Sequence, residues 1–197
     1  MGAGAPEKGP SLEDYSLLRT NMTKVTIFGF AGTGTSSTGR MLAQELRCEF
    51  VSSGNIFRAE AAKRGLSLIE FTQLTSTDSS YDKVLDQRMI DFGKDHSHFV
   101  VESWLAYHFI PDSKKIKLVC DLDERIERVA RRDKIPLEQA RKDTAFREDF
   151  NRKKYKSLYG IEDYADDSHF DLILDTTTTP ISKIVAKIKT IINPKKT

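Results

Sequence analysis

The sequence predicts an α/β protein in which a parallel sheet is covered by helices on both faces. Three observations carry this expectation. Five short β-branched or aromatic runs alternate with helical stretches along the 197 residues. No Gly-Pro hairpin turns join the runs, so successive strands connect through helices and lie parallel. The first run, KVTIFGF, leads through a Gly/Thr/Ser loop into the helical pattern STGRMLAQELR.

Taken in order, MGAGAPEKGPS is Gly- and Pro-rich without an apolar period, and LEDYSLLRTN has room for one or two helical turns. Residues 1–21 are therefore expected to be a disordered or partly helical extension, and Met22, just before the globular pattern, is an alternative start. KVTIFGF is β-branched and aromatic and reads as a buried strand. Met41, Leu42 and Leu46 give the next segment helical spacing. CEFVSS is a second strand. NIFRAEAAKRG is a helix with a polar start, capped by Ser53 or Asn55, and a glycine stop. SLIEFTQL and SYDKVLDQRMIDFGKD are two further helices, HFVVES and KIKLVCDL two further strands. DERIERVARRD and PLEQARKDTAFREDFNRKKYKSLYG are strongly charged helices, the second with Pro136 suited to a first turn and Gly160 to a stop. HFDLILDT is the last strand. The last helix is PISKIVAKIKTII, with Ile181, Ile184, Val185 and Ile188 on one face. The globular unit is expected over 22–193, with a short tail at 194–197.

Basic and acidic side chains nearly cancel, 31 against 29. No global field marks a nucleic-acid or membrane binder, and no apolar run approaches the ~20 residues of a membrane span. The basic residues also lack the interleaved aromatic platform that single-stranded nucleic acid needs. Cys48 and Cys120 sit in apolar, strand-like segments and are expected to be buried free thiols. With four scattered histidines they make no metal-ligand spacing. A cytoplasmic monomer acting on a small molecule is the resulting expectation.

Chemistry enters with GFAGTGTSSTG, Gly29 to Gly39. The general phosphate-binding pattern is G-x-x-x-x-G-K-[ST]. Gly29 and Gly34 have that spacing, Ser36 holds the hydroxyl position, and Thr35 stands where the lysine belongs. Such a loop grips phosphate mainly with backbone: its N–H groups point inward and the helix start adds about half a positive charge. Gly29, Gly32 and Gly34 would let the backbone approach, with Thr33, Thr35, Ser36 and Ser37 completing the nucleotide contacts. Ser36 would ligate Mg²⁺, helped by Thr35 or Ser37. The other reading is a glycine-rich turn without a ligand. HFVVES ends in Glu102, an acid at a strand end beside this loop, placed to meet Mg²⁺ or its water.

Three stretches in order, GFAGTGTSS, SSGNIFR and REDFNRKKYKSLYGIED, resemble the nucleoside monophosphate kinases. The resemblance runs from about Lys24 to about Ile192 and is closest to the archaeal-type branch of cytidylate kinase. That branch itself carries threonine in the lysine position. The resemblance implies a three-layer P-loop kinase sandwich with a central five-stranded parallel sheet, a helical acceptor flap and an arginine-rich helical lid over about 131–160. It implies transfer of the γ-phosphoryl of ATP, with Mg²⁺, to a nucleoside monophosphate, CMP or dCMP before others. Ser53 and Gly54 would lie against the acceptor and Arg58 would clamp its phosphate. Arg132, Arg147 and Arg152 in the lid would neutralise charge in transfer, taking the load of the missing lysine.

Four points stay open on the sequence. Asp82 and Asp86, at i and i+4, either read the acceptor's base or ribose or form a solvated face. Asp175 to Thr177 either border the adenine or cap the last helix. The resemblance leads to Gly-Arg after Glu102, yet Ser103-Trp104 stands there. Trp104 is left to stack on a base, close the pocket or pack in the core. Acceptors other than CMP, or a nucleotide-binding assembly protein that has lost its acceptor site, are the competing functions.

Overall fold

The structure is a computed structural model that describes residues 23–77 and 80–192, with the side chains of 76–82 excepted. The N-terminal extension and the tail fall outside the described residues. Among them, five strands form one sheet: β1 Lys24–Phe28, β2 Glu49–Ser52, β3 Phe99–Glu102, β4 Lys114–Val119 and β5 Leu172–Asp175. All neighbours are parallel and the order is β2-β3-β1-β4-β5. The helices are α1 Thr35–Leu46, α2 Ser53–Lys63, α3 Leu68–Thr77, α4 Ser80–Asp95, α5 Ala106–Phe109, α6 Leu122–Asp133, α7 Leu137–Tyr159 and α8 Ile181–Ile192.

Three layers follow from the period-2 alternation of the strands. Val25, Ile27, Val100, Ile116 and Leu118 face one way and bury Leu42 and Ala43 of α1 and Ile184, Val185 and Ile188 of α8. Phe99 and Val101 face the other way, against Met89 and Phe92 of α4 and Ala106 and Ile110 at α5. Phe28 completes that side in an aromatic cluster with Tyr107 and Tyr164. Ile181, expected on the buried face of the last helix, is 36% exposed in its first turn.

Local details correct the sequence reading in two places and bear out the glycine stop after α2. The cap of α2 is Ser52, one residue earlier than expected, its hydroxyl accepting from Asn55 N at 3.2 Å. Gly65 stands two residues beyond the end of α2, where its positive φ of 68° closes the turn. Cys48 and Cys120 are free, as expected, but half-buried rather than buried. Among the described residues no helix is long and apolar enough to cross a membrane.

Candidate active site

A parallel sheet delivers its strand ends to one edge, and the loops leaving β1, β2 and β3 meet there. The loop after β1 owes its shape to two glycines in the left-handed region, Gly32 at φ 89° and Gly34 at φ 84°. Gly32 is also pressed against α6: a Cβ there would stand 2.3 Å from the Arg125 carbonyl oxygen. Thr33 turns inward, not toward a ligand. It is 1% exposed, its hydroxyl donates to Phe30 O at 2.8 Å and its carbonyl accepts from Thr176 Oγ1 at 2.8 Å. Gly29, Gly32, Gly34, Thr35, Ser36 and Ser37 line a cavity of about 860 Å³. The first helical bond of α1 is Thr38 N to Gly34 O, so the N–H groups of its first turn have no acceptor within the helix.

Glu102 ties the strand ends together. It lies opposite Ser52 on one side and Ile27 on the other. Its carboxylate, 8% exposed, accepts from Thr35 Oγ1 at 3.2 Å, from Ser36 Oγ at 2.9 Å and from Ser52 Oγ. Ser52 therefore caps α2 with one lone pair while donating to Glu102, so the phosphate loop and α2 share an anchor. The donor set, one carboxylate with hydroxyls opening on the cavity, suits a hard cation that keeps waters and takes its remaining oxygens from a substrate. Among the described residues no cluster of three His, Cys, Asp or Glu forms a closed protein cage.

Opposite the loop, arginines converge. Arg58 on α2, Arg132 on α6 and Arg147 on α7 all line the cavity. Burial lowers the Arg147 guanidinium from its ordinary value, with Arg58 and Arg132 adding repulsion. Burial and Arg132 lower Arg58 in the same way. Asp133 is the counterweight: burial alone would raise its carboxyl, but the guanidiniums of Arg132, Arg58 and Arg147 hold it below its usual value. It pairs two-fold with Arg132, at 2.7 and 2.7 Å. Arg58 Nη2 donates to Asn55 Oδ1 at 2.6 Å. Gly54 lies between Arg58 and Glu102, with both side chains within 4 Å of where its Cβ would be. Arg147 lies over the Trp104 ring at 5.5 Å, and Trp104 Nε1 donates to Gly29 O at 2.9 Å. Trp104 thus lines the cavity and packs against the aromatic cluster at once. Arg152 is exposed and is not among the lining residues.

The cavity continues past the arginines into an apolar wall of Leu85, Met89, Phe92 and Phe109, where Asp86 accepts from the Tyr159 hydroxyl. The Asp82 side chain lies outside the described residues. Among the described lining residues basic side chains outnumber acidic ones seven to two, the acids being Asp86 and Glu102. That balance favours a multiply charged anion. Sequence reasoning missed Ser52, Arg128, Asn151, Lys154 and Tyr159. Arg128 holds Gly32 O at 3.3 Å and Thr176 O and Thr177 O both at 3.0 Å, joining the loop to the turn after β5.

A glycine loop at a helix start, a serine–glutamate pair beside it and guanidiniums facing it define a P-loop phosphotransferase. Solved structures agree on the fold. The shikimate kinase of Acinetobacter baumannii superposes with TM-score 0.59 and 15% identity over 91% of this chain and 98% of that one. The shikimate kinase of Bacteroides thetaiotaomicron does so at 0.57 and 12%, over 87% and 98%. The sequence goes further. The profile of the cytidylate kinase-like family matches residues 24–178, and the chain belongs to that family. The cytidylate kinase of Methanosphaera stadtmanae is 33% identical over 172 residues, 87% of this chain and 99% of its own. That of Pyrococcus furiosus is 38% identical over 170 residues, 86% and 88%. That of Methanobrevibacter smithii is 31% identical over 164 residues, 82% and 95%.

Proposed function

We propose that the chain transfers the γ-phosphoryl of ATP to CMP or dCMP by in-line displacement. The observation that carries this is a single cavity in which the phosphate loop and the Arg58, Arg132 and Arg147 side chains face one another across Glu102. Two phosphate-bearing substrates then meet end to end. The loop's N–H groups and the start of α1 hold the donor phosphates. Arg58 holds the acceptor phosphate, whose oxygen is already anionic at neutral pH and needs no general base. Arg132 and Arg147 stand between the two and neutralise charge as the phosphoryl moves, the main task in such chemistry. Ser36 and Glu102 would hold Mg²⁺, which would supply positive charge to neutralise the donor phosphates. The segment over about 131–160 is the lid, and its closure over the cavity would exclude water and protect ATP from hydrolysis.

Asp86 supports a cytosine acceptor. A carboxylate at the apolar end of the cavity accepts only, which suits an exocyclic amino group and not a carbonyl. Trp104, where the resemblance leads to arginine, favours a second reading in which the acceptor differs. Coupled ADP release with ATP and Mg²⁺ against CMP, dCMP, UMP, AMP and GMP decides between them. Turnover highest with CMP or dCMP is expected; turnover highest with another nucleotide moves the acceptor, and silence with all, while ATP binds, overturns the kinase reading.

A further inference from the structure

Trp104 is the only tryptophan of the chain, and both its ring and its N–H are engaged. The N–H donates to the carbonyl of Gly29, the first residue of the phosphate loop, at 2.9 Å. Phe30 meets the ring edge-on with centroids 6.0 Å apart, and Tyr164 lies at 5.8 Å. Above the ring sits the guanidinium of Arg147 at 5.5 Å. That guanidinium is poorly provided for. Burial disfavours its charge, Arg58 and Arg132 repel it, and its Nε is buried without a hydrogen-bond partner. A long side chain so placed has good reason to turn toward water. The indole face offers what offsets this: an attraction to a cation that grows as water is removed.

We propose that Trp104 is a positioning residue that holds Arg147 in register with the phosphate loop. One end of the indole is fixed to the loop and its face is fixed to α7. The arginine is thereby held at the wall of the cavity that the phosphate loop also lines. This rests on the reading of the cavity as a phosphoryl-transfer site.

The test is a double-mutant cycle with two readouts. Trp104→Leu should lower kcat about thirtyfold, the equivalent of ~2 kcal/mol for a desolvated cation–π contact. Trp104→Phe keeps a ring face but not the N–H that reaches Gly29 O, and should recover part of that loss. In an Arg147→Ala background, Trp104→Leu should cost almost nothing more. Losses that multiply in full, or a Phe variant no better than Leu, overturn the proposal. The second readout needs no turnover: Arg147→Ala should change the emission of the single tryptophan in the nucleotide-free protein, and an unchanged spectrum overturns the contact. Were the unaltered protein inactive with every acceptor, the kinase reading would fall, and the emission arm would still decide whether Trp104 holds Arg147.

Discussion

Gly32→Ala and Gly34→Ala form a matched pair that separates two costs. Both residues have φ in the left-handed region, 89° and 84°. A Cβ in that conformation costs roughly 1–2 kcal/mol. Around Gly34 nothing lies within 4 Å of the added atom, so that is the whole cost. Around Gly32 the atom meets the Arg125 backbone, its carbonyl oxygen at 2.3 Å, its Cα at 2.8 Å and its carbonyl carbon at 2.9 Å. Backbone cannot rotate away as a side-chain tip can, so the loop must leave α6, and overpacking of this kind adds about 1–3 kcal/mol. The gain from a stiffer unfolded chain is common to both and cancels. Gly32→Ala should therefore be less stable than Gly34→Ala by about 1–3 kcal/mol, or roughly 2–12 °C in Tm for a chain of this size. Urea denaturation of the two variants side by side measures it, with equal m-values as the control. Equal midpoints would refute the claim that the loop is braced by α6.

Glu148→Ala leaves the 7%-exposed Arg125 side chain, its partner at 2.5 Å, without its counter-charge. It should cost about 3–5 kcal/mol in urea denaturation, and Glu148→Gln distinctly less. Ser52→Ala removes a helix cap, about 1 kcal/mol, and a hydrogen bond to a carboxylate, about 1.5–3 kcal/mol. Its Tm should fall, and the KM for the acceptor should rise because α2 carries Arg58. Asp86→Asn supplies a donor where only an acceptor stood, so the preference for CMP over UMP should narrow by roughly tenfold or more in kcat/KM. Tyr107 is pushed up to about 12 by burial, with Asp163 and Asp166 adding to the shift. The unfolded chain loses that proton first, near 10. Stability should hold below pH 10 and decline between 10 and about 12, read by tyrosinate absorbance beside circular dichroism.

The elements were legible because the strands are short apolar runs and the glycine loop announces its own geometry. The partnerships across the sheet were not. Nothing local to SSGNIFR separates Ser52 from Ser53; only the register that sets Ser52 opposite Glu102 does. Asp86 and Tyr159 meet across the cavity from helices far apart in the chain. Thr33 shows that a loop motif gives backbone shape without saying which side chains turn outward. Arg152 was open to a better reading. It lies five residues past Arg147, about 140° around a helix, so the two cannot share a face. Arg147, Asn151 and Lys154 can, and all three line the cavity. The same periodicity places Arg128 with Arg132.

The strand order also sets a timetable for synthesis. β1 lies between β3 and β4, and β2 pairs only with β3. The first two strands to leave the ribosome therefore have no pairing between them, and residues 53–98 must follow before either gains its first neighbour. Until Phe99–Glu102 arrive, the apolar face of α1 has almost no sheet to cover, the kind of exposed surface that chaperones read and that aggregates when crowded. The last residue of that strand is Glu102. The strand that joins β1 to β2 and the carboxylate that ties their ends thus arrive in the same step of translation, with β4 and β5 still to follow. The phosphate loop gains its anchor on Glu102 no earlier than the sheet gains its first pairings.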